Sequence, residues 1–165
     1  MKQRGLSGVI ASVIMIAVVI TSVVIVWGVV IPLVEDNLGE SESCFGIFEE
    51  VTINSMYTCY DSDLGEFNFS INIADIDVDE VLVSVSSEGS TKSYTLTNTE
   101  KIIVGLANYG STGFGTDLIK LPEKNAGSTY ISNEFPDEPN RIQIAPIIDG
   151  NQCDVSDSLF EIDDC

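Results

Sequence analysis

Histidine is absent from the chain, and positive charge is scarce: 7 Lys and Arg stand against 26 Asp and Glu, for a formal net charge of −19 at pH 7. Each shortage excludes something. Without histidine, a serine or cysteine nucleophile lacks its usual general base. Carboxylate pairs abound, but in so acidic a chain they arise from composition alone, and no catalytic arrangement emerges. Without clustered Lys and Arg, phosphate backbones go unneutralised, so nucleic acid is excluded as a partner. The glycine-rich NYGSTGFGT lacks the lysine of a phosphate loop and reads as a connection. No CxxC pair occurs, so a zinc site would need isolated cysteines at unusual spacing. The sequence points away from an enzyme, and it calls for no cofactor and no metal.

The charge that is present is segregated. Lys2 and Arg4 are the only ionised side chains before Glu35, and residues 6–34 carry no charge at all. As a helix, that run reaches about 40 Å, more than the ~30 Å hydrocarbon core of a bilayer. A secretory signal has an apolar region of only ~7–15 residues followed by a small-residue cleavage site, and neither feature is found here. A membrane-spanning helix is expected, with Lys2 and Arg4 holding the N-terminus in the cytoplasm and the remainder outside. Within the run, Ala11, Ser12, Ala17, Thr21, Ser22 and Gly28 are small or hydroxylated, which lets helices approach closely in an apolar medium. Pro32 loosens the end of the helix, and EDNLGESES is a polar exit from it.

All 4 cysteines, Cys44, Cys59, Cys153 and Cys165, follow the apolar run. Their even number and expected extracellular place point to two disulfides. Three pairings are possible, and proximity in sequence favours Cys44–Cys59 with Cys153–Cys165. Between them the pattern has period two. EFNFSINIA sets Phe67, Phe69, Ile71 and Ile73 against polar neighbours, and VLVSVSS does the same with Val81, Val83 and Val85. SYTLT, KIIVGL, DLIKL, STYIS and RIQIAPII are further expected strands, separated by turn clusters. The fold class is therefore α+β: a long N-terminal hydrophobic helix followed by an all-β, immunoglobulin-like sandwich. The single Trp lies in the apolar run, so the Cys-Trp-Cys core of true immunoglobulin domains is missing. Asn68-Phe69-Ser70 is an N-glycosylation sequon on the outward face of its strand. Asp75, Asp77, Asp79 and Glu80 form the densest acidic cluster, without the central glycine of a calcium loop, and read as a solvated edge.

The start of the chain carries a family likeness. The leader MKQRG, followed directly by LSGVIASVIMIAVVI, resembles the class III signal of archaeal type IV pilins and pilin-like filament subunits. The resemblance implies cleavage by a prepilin peptidase between Gly5 and Leu6, on the cytoplasmic side, so that the apolar helix stays on the mature protein. Bacterial type IV pilins carry glutamate at the fifth mature position, where this chain has Ile10, so the archaeal group fits better. It implies the domain order 1–5 leader, 6–34 hydrophobic helix, 35–43 linker and 44–165 extracellular sandwich. It also implies that the subunit is held in the membrane before assembly. The pilus assembly machinery and further copies of the chain would be its partners, forming a helical homo-oligomeric filament on the cell surface. A monomeric membrane-anchored binding protein is the rival expectation, with the same topology but no cleavage and no polymer.

Gly5 is the small residue at the junction of leader and apolar run, which sets the first test. N-terminal mass spectrometry of surface-assembled subunit should find Leu6 as the first residue, and Gly5→Val should leave the leader attached. Assembled protein that still begins MKQRG would sink the cleavage expectation.

Overall fold

The computed structural model of the chain describes residues 6–32, 34, 44 and 46–165. Contacts divide the chain into two units, Met1–Glu42 and Ser43–Cys165. The expected linker, 35–43, lies outside the described residues.

In the first unit, α1 (Leu6–Ile25) continues into a π turn, Val26–Val30. Val and Ile are indifferent helix formers, because their branched Cβ loses rotamer freedom against the preceding turn. What favours a helix here is the need of an apolar segment to satisfy its own backbone. The hydroxyls follow the same rule. Ser12 Oγ donates to Val9 O at 2.8 Å, Thr21 Oγ1 to Val18 O at 2.9 Å, and Ser22 Oγ to Val18 O at 2.9 Å. The π turn precedes Pro32. A proline has no N–H for the carbonyl four residues back, which is that of Gly28, and its ring crowds that carbonyl. The wider turn, in which Ile31 N–H reaches Val26 O, loosens the ladder just there.

The second unit is a β-sandwich. In chain order its strands are β1 (Val51–Ile53), β2 (Cys59–Asp61), β3 (Glu66–Ile73), β4 (Glu80–Ser87), β5 (Ser90–Thr97), β6 (Lys101–Ile102) and β7 (Leu106–Asn108). They continue with β8 (Leu118–Ile119), β9 (Ala126–Ser132), β10 (Pro139–Ile148), β11 (Asn151–Gln152), β12 (Asp157–Phe160) and β13 (Asp163–Asp164). One sheet has the order β13-β2-β3-β9-β7, with β1 also on β3; the other has β11-β10-β4-β5, with β12 also on β10. Pro146 sits in β10 between the stretch that pairs with β12 and the stretch that pairs with β11, so its missing N–H interrupts neither ladder.

Alternation sends one face of each sheet inward. Phe67, Phe69 and Ile71 of β3 meet Val81, Val83 and Val85 of β4, Tyr94 and Leu96 of β5, and Ile142 and Ile144 of β10. Phe69 lies at the centre, with ring centroids 5.8 Å from Phe67, 6.4 Å from Tyr94 and 5.5 Å from Tyr130. The two open sides of the sandwich are closed by hydrogen bonds. On one side Ile53 N–H of β1 donates to Asp157 Oδ2 of β12 at 2.8 Å, and Ser156 Oγ donates to Val51 O at 2.9 Å. On the other, the two-stranded flap of β6 and β8 is tied to both sheets. Asn108 Nδ2 donates to Leu118 O at 3.1 Å, and Leu121 N–H to Thr97 O at 2.9 Å.

KIIVGL, expected as one strand, is split between β6 and β7. Gly105 turns the chain at φ 75° with the Glu134 side chain packed against it, leaving no room for a Cβ. Phe69→Ala should cost about 3–5 kcal/mol, against less than about 1.5 kcal/mol for a mainly volume-adjusting Phe67→Leu. Denaturant unfolding of the oxidised chain measures both, and a loss below about 1 kcal/mol for Phe69→Ala would mean that the aromatic stack does not anchor the core.

Candidate functional site

The most unusual surface in the protein is the helix. Within Gly8–Val30 an 18-residue window has a mean hydropathy of 3.1, and each residue from Gly8 to Val30 is exposed. Val9, Ile14 and Met15 are 63%, 58% and 74% exposed, and at the pitch of an α-helix they lie on different faces. The helix is long and apolar enough to cross a membrane, and its apolar side chains run right round its circumference. Of the expected processing pair, Gly5 lies outside the described residues; Leu6 is the first residue of α1, and its side chain lies outside them too.

The cysteines form two disulfides, but not the pairs favoured by proximity in sequence. Cys44 joins Cys153 across 109 residues and Cys59 joins Cys165 across 106, with Cα atoms 5.4 and 5.0 Å apart. The cause is sheet topology. β13 runs parallel to β2 with Asp163 opposite Cys59, which brings Cys165 alongside. The β10–β11 hairpin returns Cys153 to Pro146, whose carbonyl accepts the Cys153 N–H at 2.9 Å. The sequence carries no local mark of either approach. Nor does it mark Ser156 and Asp157, whose partners in β1 lie 105 and 104 residues away.

Asn68 is on the outward face of β3, opposite Cys59 on one neighbour and Ile131 on the other. Its Nδ2 points at the sulfur atoms of the bridge, 3.3 Å from Cys165 Sγ and 3.9 Å from Cys59 Sγ, and its Oδ1 is buried without a partner. The nitrogen that would carry the expected glycan thus lies against the Cys59–Cys165 bridge.

The acidic cluster does not converge. Asp75 accepts from Asn125 Nδ2 at 3.4 Å, Asp77 pairs with Lys124 at 2.7 Å, and Asp79 accepts from the Asp149 N–H at 2.8 Å. Among the described residues no three His, Cys, Asp or Glu side chains gather as a metal site would require. Burial pushes the Tyr94 and Tyr130 phenols up, far above the ordinary range. For Tyr94 the Ser132 hydroxyl opposes the shift and Glu134 adds to it. Both stay protonated and act as structural donors: Tyr94 Oη to Glu134 at 2.9 Å, and Tyr130 Oη to Lys120 O at 2.6 Å. Lys124 is held above its ordinary value chiefly by its hydrogen bond to Asp77.

Compared with protein-family models, with curated proteins and with solved structures, the chain matches none. Its chemistry is thus read from its own features: a bare apolar helix and a stapled acidic sandwich.

Non-reducing peptide mapping should recover Cys44 with Cys153 and Cys59 with Cys165, and no reactive thiol. Reduction should lower stability by about 2–5 kcal/mol per bridge lost, since each closes a loop of more than 100 residues. A map that returned the sequence-local pairs would overturn the sheet order at β13 and β11.

Proposed function

We propose that the chain is a structural subunit of an extracellular type IV pilus-like filament, serving adhesion or surface attachment and assembled by packing of its hydrophobic N-terminal helices. The observation that carries this reading is the helix itself, apolar on every face and covered by nothing in its own chain. In the membrane, lipid covers it. In a filament, other copies do, and each Å² of apolar surface removed from water contributes about 25 cal/mol. The contact is heterologous, so it propagates into an open helical polymer. Cleavage after Gly5 would remove Lys2 and Arg4, which a packed apolar core could not accommodate. The disulfides and the acidic surface of the sandwich suit a domain outside the cell. The leader and the start of the helix, with their likeness to archaeal type IV pilins, support the same reading.

Substitution at a small residue separates polymer from lone anchor. Phenylalanine is well accepted in lipid, whereas a packed helix core takes overfilling at a cost of roughly 1–3 kcal/mol per contact, repeated at every subunit. Ala17→Phe should therefore leave membrane insertion intact and greatly reduce the number of filaments, and Ala11→Phe with Ala17→Phe should abolish them. Membrane fractionation beside negative-stain microscopy of the same cells reads both effects. Wild-type cells that never show filaments would point instead to a monomeric anchored binding protein.

A further inference from the structure

The sandwich has two lateral edges of contrasting chemistry, and each carries exposed apolar side chains. On the flap edge, Ile102 and Leu118 face each other across β6 and β8, and Val104, 77% exposed, follows in the turn. On the opposite edge, before β1 and between β11 and β12, lies a pocket of about 140 Å³ beside the Cys44–Cys153 bridge. Ile47, Phe48, Pro146 and Val155 line it, and Phe48 is 70% exposed. The pocket has room for one aliphatic side chain, and the flap presents a projecting one.

The lysines follow the same division, while Arg141 lies on β10 over the Phe160 ring of β12. Apart from Lys2 and Arg4, the basic residues are Lys92, Lys101, Lys120, Lys124 and Arg141. Every lysine among them falls on β5, on the flap, or in the turn after it. Among the described residues Lys92, Lys120 and Lys124 already pair within the chain, with Glu134, Glu123 and Asp77, while Lys101 makes no ion pair. Asp154 lines the pocket, and Glu49 and Glu50 directly follow its Phe48; none of the three makes an ion pair among the described residues. A contiguous exposed apolar group in an otherwise strongly acidic surface marks an interaction site, and here its charged neighbour has its complement on the far edge of the same domain.

We infer that the flap edge of one sandwich docks on the Cys44–Cys153 edge of a second copy, with Val104 entering the pocket and Lys101 reaching Asp154 or the Glu49–Glu50 pair. Two different edges of one domain form the contact, so it is heterologous and repeats from copy to copy. It rests on the filament reading and adds to it a second, sandwich-to-sandwich contact that the helices do not supply.

Carbodiimide, which joins a lysine amine to a carboxylate with no spacer, tests it on the protein as it exists. Within one copy the two edges are separated by at least the three strand spacings from β1 to β7, about 14 Å, and face away from each other. A link between Lys101 and Glu49, Glu50 or Asp154 therefore reports two copies. Filaments sheared from cells, and membranes holding the full-length chain, are treated and mapped by mass spectrometry. The expected result is this link in filaments, lost in K101E and regained between the same two positions in K101E/D154K. V104D keeps both charges and removes the apolar side chain from the pocket; it should lower the yield about tenfold. Filaments without the link overturn the sandwich contact and leave the filament reading standing. The link in membranes of cells that make no filament keeps the contact and overturns the filament. Absence of both overturns both.

Discussion

A helix that is apolar on every face has no stable state in water, and this constraint orders the rest of the molecule. The apolar residues of Gly8–Val30 find no cover within their own chain. An amphipathic helix covers one stripe and leaves its polar side wet; here there is no polar side to leave. Its hydroxyls already turn inward to the helix backbone, as they must where no water is available. Lipid would supply that cover in a membrane, and further copies would supply it in the filament proposed above. Everything that keeps the protein soluble is therefore placed after the helix, in the acidic sandwich.

That sandwich must hold together against its own charge. Like charges at this density repel and weaken a compact state. The exposed ion pairs Lys120–Glu123 and Lys124–Asp77 offset little of this, because solvent screens them. Two other devices matter more. The disulfides interleave, 44 with 153 and 59 with 165, so that the first and last strands are both pinned to the body. The sides of the sandwich are sealed by groups that cross between sheets, Asp157 and Ser156 on one side and the flap on the other. A sandwich loosens first where its sheets splay, and these contacts lie at those places.

The period-two stretches were legible from the sequence because burial of one face leaves its imprint residue by residue, as in β3, β4 and β10. So was the helix, from the absence of charge over its whole length. The short strands β1, β2, β11, β12 and β13 were not, because two to four residues hold no period; they are strands only through the partners they find. The same holds for the disulfides. Proximity in sequence pointed to Cys44–Cys59, but β2 and β13 become neighbours only after the sheet has formed, and that neighbour relation is a property of the whole topology. Asn68 shows the limit from the other side. Its outward direction was readable from alternation, yet the sulfur atoms that cover it come from Cys59 and from a residue 97 positions away. The break between β6 and β7 was hidden for a similar reason: Gly105 turns the chain at φ 75°, and the Glu134 side chain packed against it comes from far along the chain.

Polymerisation, if it occurs as proposed, sharpens the electrostatic problem and gives the place of the lysines a meaning. If the leader is removed, Lys2 and Arg4 go with it, and each copy becomes more acidic than the precursor. Stacking identical acidic domains brings many like charges within the ~8–10 Å over which salt leaves them visible to one another. In the proposed filament the helices would cohere through apolar contact alone, while the sandwiches would meet at the spacing the helices impose. A domain with its cations scattered would present acid to acid at every contact. Gathering Lys92, Lys101, Lys120 and Lys124 toward one edge, away from Glu49, Glu50 and Asp154, would give each copy in such a filament one face that tolerates its neighbour. Because the repulsion is a sum over many exposed charges and the attraction involves few, added salt weakens the first more than the second. Apolar contact, which salt does not screen, then sets how firmly the copies hold.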